Sequence, residues 1–133
     1  MTDQELVDRA IKMQEFSYVP YSRFPVGAAL LCDDGTVFTG CNVENAAFGS
    51  TICAERTALL KAVSEGRRTG WMTLAIAGRG SDFCWPCGAC RQMLYEFCGT
   101  DMPVIMAKNE DELKVMTLGE LLPEGFGPAN LLG

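Results

Sequence analysis

The residues whose types and spacing can do chemistry lie in two stretches, Cys53-Ala54-Glu55-Arg56-Thr57 and Pro86-Cys87-Gly88-Ala89-Cys90-Arg91. Cys53, Cys87 and Cys90 offer three thiols that ionise, which suits a borderline-soft cation. A tetrahedral zinc held by three protein ligands keeps its fourth corner for water. Glu55, two residues after the first thiol, adds a carboxylate that can take a proton from such a water and deliver it elsewhere. Three thiolates and a dication leave a net charge of −1, which reduces the acidity of a bound water, so Arg56 and Arg91 beside the ligands are candidates to compensate it. Arg91 reads equally well as a solvated helix-face residue.

These groups need elements that bring them together. Pro86 fits a first helical position because its missing N–H would have no partner there, which puts Cys87 and Cys90 three residues apart on one helical face. Cys53 opens an alanine- and leucine-rich run, 54–65, that stops at Gly66. Cys53 and the Cys87–Cys90 pair then each sit at the positive end of a helix, where thiolate is favoured.

The paired stretches resemble the small zinc-dependent cytidine deaminases of the cytidine and deoxycytidylate deaminase superfamily. So do Pro20-Tyr21-Ser22-Arg23-Phe24-Pro25-Val26-Gly27-Ala28-Ala29-Leu30, Gly40-Cys41-Asn42-Val43-Glu44-Asn45-Ala46 and Glu120-Leu121-Leu122-Pro123, in the same order over nearly the whole chain. The resemblance implies one zinc per chain and hydrolysis of cytidine and deoxycytidine to uridine and deoxyuridine with loss of ammonia, in pyrimidine salvage. It gives Glu55 the transfer of a water proton to ring N3 and then to the departing amine, with the Ala54 amide and the Glu55 carboxylate holding the base edge. It further implies Phe24 as a wall of the pyrimidine pocket, Asn42 and Glu44 on the ribose hydroxyls, and a homotetramer in which Phe126 reaches a neighbouring subunit's pocket. Phe48 and Trp85 depart from the common pattern, where tyrosine and serine are usual, and this bears on the choice among related substrates.

Composition narrows the classes. A chain of 133 residues with 48% hydrophobic content matches one domain, 1–133, with a single substantial core. A net charge of −6 offers no footprint for a polyanion, so a small neutral molecule suits it better than nucleic acid. With no basic, apolar leader and no run of membrane-spanning length, the expectation is a cytoplasmic protein without membrane partners. Seven cysteines, an odd number, speak against a disulfide framework. The absence of histidine excludes Ser-His and Cys-His dyads and any imidazole-ligated zinc within this chain.

Cys84 extends the second stretch to C-x-x-C-x-x-C, which leaves a closed four-cysteine zinc or an iron–sulfur module as a rival without turnover. A deaminase of a cytosine-bearing antibiotic is the nearest enzymatic rival. Cys32, Cys41 and Cys98 lie in or beside apolar runs and read as small buried thiols.

The remaining elements follow from periodicity and turn chemistry. Thr2 to Glu5 reads as a capping box before an amphipathic helix over 3–17, and 18–25 as a rigid loop ending at Phe24, which alone reads as core aromatic or site wall. A hairpin, 26–32 and 37–41, turns at Asp33-Asp34-Gly35-Thr36 and leads to Asn42 and Glu44. Two apart on an extended segment, these project the same way, either into solvent or toward a diol. Then come a strand over 71–78, a loop over 79–82, a helix from 86 to about 98, short strands over 104–107 and 113–116, and a short helix over 117–122. Alternating strands and helices predict an α/β fold, and the hairpin makes its sheet mixed. The resemblance sharpens this to a three-layer α/β/α sandwich around a five-stranded mixed sheet.

Overall fold

A computed structural model describes residues 1–80 and 82–132. Five strands, β1 (Val26–Cys32), β2 (Val37–Cys41), β3 (Trp71–Gly78), β4 (Pro103–Ala107) and β5 (Leu113–Thr117), form one sheet in the order β2-β1-β3-β4-β5. β1 and β2 make the antiparallel hairpin, with Gly27 opposite Cys41 and Leu31 opposite Val37. Gly35 turns it at φ 88°, and the Asp34 carboxylate accepts the Thr36 amide at 3.0 Å. β3 runs antiparallel to β1 but parallel to β4, while β5 is antiparallel to β4. A parallel neighbour needs a crossover, and α3 (Gly88–Phe97) supplies it, as α2 (Ala54–Ser64) joins β2 to β3.

Side chains alternate across the strands and sort into two packing faces. Ala29, Ala75, Ala77, Ile105 and Ala107 meet Leu6, Val7 and Ala10 of α1 (Asp3–Met13). Leu30, Leu74, Ile76, Val104 and Met106 meet Ala58 and Leu59 of α2 and Leu94 of α3. Helices on both faces make the expected three layers. Small residues on the α1 side let the helix lie close. A Cβ on Gly27 would run into the Ala10 carbonyl oxygen.

Thr2 caps α1 by accepting the Glu5 amide at 3.1 Å, and acidic Asp3 and Glu5 suit its positive end. The regular helix stops at Met13, short of the expected residue 17, and tightens into one 3-10 turn, Gln14–Phe16. Both halves of a capping box are present further on, where Thr117 and Glu120 start α4 (Leu118–Leu121). A last short helix, α5 (Pro128–Leu132), was not expected from the sequence. The expected loop over 79–82 includes Ser81, which lies outside the described residues.

Candidate metal centre and substrate pocket

Two helix starts meet beside the ends of the central strands, and each begins on a cysteine. Cys53 is the N-cap of α2, with extended backbone, and Cys87 is the N-cap of α3, where its sulfur accepts the Cys90 amide at 3.4 Å. Pro86 therefore precedes the cap and is not the first helical residue. Sulfur occupies the capping role that an oxygen side chain usually fills, so the helix starts one residue after Cys87. α2 is fixed against the sheet by Gly40 of β2. A Cβ there would strike the Ala54 carbonyl oxygen and lie 2.6 Å from the Ala58 nitrogen. Thr57 adds a hydroxyl bond to the Cys41 carbonyl at 3.1 Å. The first turn of α2 thus cannot slide without disturbing β2.

The sulfur atoms of Cys53, Cys87 and Cys90 all lie within 4.8 Å of one another, at 3.8 Å for Cys53 and Cys87 and 3.3 Å for Cys87 and Cys90. Zinc–sulfur bonds of about 2.3 Å at tetrahedral angles require sulfurs about 3.8 Å apart, so the donor set and its spacing fit one zinc. Cys84 is not in the cluster, and among the described residues these three alone form such a group. That leaves the closed four-cysteine arrangement without support.

The electrostatics suit a bound cation. A hydrogen bond from the Cys90 thiol, followed by those from Arg56 and Cys87, holds Cys53 below the usual thiol range, and the same bond together with burial pushes Cys90 up. Arg56 donates to the Cys53 sulfur at 3.4 Å and to the Thr51 carbonyl at 3.3 Å. Arg91 does something different. It donates to the Pro86 carbonyl and the Leu121 carbonyl, both at 2.7 Å, and ties α3 to α4. Of the two arginines expected as compensating charges, Arg56 is the one that bonds a cysteine sulfur.

Glu55 is 4% exposed, and that burial raises its carboxyl to about 7, with the charge on Cys53 adding to the effect. It shares a cavity of about 200 Å³ with Phe24, Asn42, Ala54, Cys84, Trp85, Cys53 and Cys87. Larger hollows exist, such as one of about 370 Å³ beside Gln14, Arg79 and Lys108, but this smaller one is lined by Cys53, Cys87 and buried Glu55.

A match to the family model described as "Cytidine and deoxycytidylate deaminase zinc-binding region" spans residues 1–106. The chain belongs to that family. It is 46% identical over 131 residues to the cytidine deaminase of Sporosarcina psychrophila, covering 98% of this chain and 96% of the relative. It is 48% identical over 126 residues to that of Halalkalibacterium halodurans, covering 95% of each. The crystal structure of cytidine deaminase from Burkholderia pseudomallei superposes with a TM-score of 0.91 at 42% identity, covering 95% of this chain and all of that one. The five-stranded mixed sheet with flanking helices is the fold of these deaminases.

Other residues expected at a deaminase site are distributed unevenly. Asn42 spends its amide on the loop: Oδ1 accepts the Val26 amide at 2.9 Å and Nδ2 donates to the Phe24 carbonyl at 2.9 Å. Glu44 does not line the cavity within this chain. Its Oε1 accepts the amides of Tyr21 and Ser22 at 3.0 and 3.1 Å, and bonding to Ser22 lowers its pKa. Phe126 is 58% exposed and also lies outside this chain's own cavity. Phe48 packs edge-on against Tyr21, with ring centres 5.8 Å apart. Trp85 carries the Lys114 ammonium 5.2 Å from its ring centre. Sequence reasoning missed Cys84 as a pocket-lining thiol. Its place in C-x-x-C-x-x-C was visible, but that pattern points to a ligand and not to a wall, and burial pushes this thiol up to about 12.

Proposed function

We propose that this chain catalyses zinc-dependent hydrolytic deamination of cytidine and deoxycytidine, releasing ammonia, with Cys53, Cys87 and Cys90 as metal ligands and Glu55 as the proton carrier. The observation that carries it is that buried Glu55 lines the same cavity of about 200 Å³ as Cys53 and Cys87 of a three-sulfur cluster. When bound, zinc supplies Lewis acidity that lowers the pKa of a water to the range where it attacks a ring carbon at neutral pH.

The chain's own groups account for the protons. Glu55 takes one from the attacking water and passes it to ring N3, then takes the second and passes it to the exocyclic amine. The C4–N bond then breaks, and the products are uridine and ammonia. Burial supports this work because a carboxyl held near neutral pH both accepts and donates readily. The Ala54 amide, in the first turn of α2 where helix N–H groups have no internal acceptor, is placed to meet the base edge. Phe24 and Trp85 supply apolar walls, which a neutral pyrimidine needs.

We assign the ribose to Asn42 and Glu44, the completion of the pocket to Phe126 from a neighbouring subunit, and the assembly to a homotetramer. Tyr18, Phe48, Val115, Phe126, Leu131 and Leu132 are exposed and free to meet further copies in such an assembly. A cytoplasmic role in pyrimidine salvage matches the substrate, and no described helix is long and apolar enough to cross a membrane. The test is ammonia release from cytidine by the purified protein before zinc removal, after it, and after restoration. Activity that disappears with the metal and returns with it is expected, while turnover that survives stripping overturns the reading.

A further inference from the structure

The loop that carries Phe24 is held far more tightly than an exposed loop requires. Asn42 brackets it, bonding the carbonyl of Phe24 and the amide of Val26 on either side of Pro25. The Ser22 hydroxyl accepts the Phe24 amide at 3.1 Å, and Arg79 donates its own amide to the Pro25 carbonyl at 3.1 Å. These bonds fix the backbone, but the ring needs a surface to rest on.

That surface is glycine. A Cβ on Gly78, the last residue of β3 and the register partner of Val26, would lie 2.9 Å from Phe24 Cζ and 2.9 Å from the Cys84 sulfur. A Cβ on Gly80 would lie 2.9 Å from Phe24 Cε1. Carbon atoms pack at about 3.5–4.0 Å, so either methyl would displace the ring. Neither glycine is needed for its backbone angles, since the positive-φ glycines are Gly35, Gly66, Gly70 and Gly99. What Gly78 and Gly80 contribute is space.

We infer that Gly78 and Gly80 are positioning residues for the substrate, forming a bare-backbone seat that sets where the Phe24 ring stands in the cavity. A side chain at either position pushes the ring into the space the pyrimidine occupies and, at Gly78, moves Cys84 as well. This builds on the reading of Phe24 as a pocket wall.

The test compares the zinc-loaded wild type with Gly80→Ala, Gly78→Ala, Phe24→Ala and the double variant Phe24→Ala/Gly80→Ala, measuring KM and kcat for cytidine, melting temperature and zinc content. Gly80→Ala is the cleaner probe because its methyl meets Phe24 alone among close neighbours, and it stands in should Gly78→Ala fold poorly. The expected result is a KM raised roughly five-fold or more by Gly80→Ala, well inside the about 10²-fold that a 1 Å misplacement can cost. Turnover and zinc content should hold, since the ring takes no part in proton transfer. In the Phe24→Ala background the added methyl meets no ring, so Gly80→Ala should raise KM no further.

Two results overturn the seat and leave the pocket reading intact. One is a raised KM in Phe24→Ala with none in Gly80→Ala, and the other is fully additive effects in the double variant. An unchanged KM in Phe24→Ala removes the wall and the seat together, and absence of ammonia release by wild type removes the proposed reaction itself.

Discussion

The starts of α2 and α3 are built on one plan and put to different uses. Each has cysteine at the N-cap, Cys53 and Cys87, so the second helical residue is Glu55 in one and Ala89 in the other, and the third is Arg56 and Cys90. In α3 the cap sulfur accepts the amide of residue 90, as a capping hydroxyl would. In α2 no such bond forms, and the third residue reaches back with its guanidinium to the cap sulfur. Burial separates them further. Ala54 and Glu55 are buried, Ala54 pressed against Gly40, whereas Cys87, Gly88 and Ala89 are exposed. Withdrawal of water raises a carboxyl toward the neutral range, so the same local motif buries a carboxylate at the start of α2 and leaves the cap cysteine exposed at the start of α3.

The sharpest way to break this contrast is Glu55→Ala. It should lower turnover of cytidine by about 10²-fold to 10⁴-fold while one zinc per chain is retained, by steady-state assay and metal analysis. Adding Ala89→Glu to that variant places a carboxylate at the matching position of α3. No recovery is expected, because an exposed carboxyl keeps its ordinary acidity; recovery of activity would show that burial of α2 is not what matters.

Next in size is the Gly40 contact. Gly40→Ala forces the first turn of α2 off β2 and should cost about 1–3 kcal/mol of stability, read by denaturant midpoint, with a larger effect on activity than on zinc content. Trp85→Ser should act more narrowly. It opens one wall of the cavity beside α3 and should change the ratio of kcat/KM between cytidine and bulkier analogues, leaving Glu55-dependent proton transfer intact. Equal effects on all substrates would deny Trp85 a part in selectivity.

The smallest effect belongs to the hairpin turn, far from both helix starts. The Arg67 guanidinium beside Asp34, at 2.6 Å, holds this carboxyl well below the ordinary aspartate range. A folded-state pKa below the unfolded one gives stability that is complete above the unfolded value and is lost as pH falls through the folded one. Arg67→Ala should therefore lower the melting temperature slightly at neutral pH and low salt. The difference from wild type should shrink in strong acid and in high salt, since the pair is exposed.

Local pattern carried most of the layout. The hairpin, the apolar strand Trp71–Gly78 and the cysteine-led helices have clear starts and stops, such as Gly66 at φ 92° after α2. The end of the first helix and the place of Pro86 were less legible. A 3-10 turn ends the regular helix at Met13, before the expected residue 17, and a sulfur cap starts α3 at Gly88, after the expected Pro86, without changing composition. Arg56 and Arg91 look alike in sequence, each beside a ligand, and only packing sends one to a thiolate and the other to the carbonyls of Pro86 and Leu121.

By itself the sequence determined the donor atoms, their spacing and the absence of imidazole, because ligand chemistry and helix starts depend on residues near one another in the chain. The tertiary structure decided which carboxyl is stripped of water, which arginine faces sulfur and which glycines lie beneath Phe24. Those outcomes depend on how closely β2, β3 and α2 approach across the fold, and distance between segments far apart in the chain is not written in any one of them.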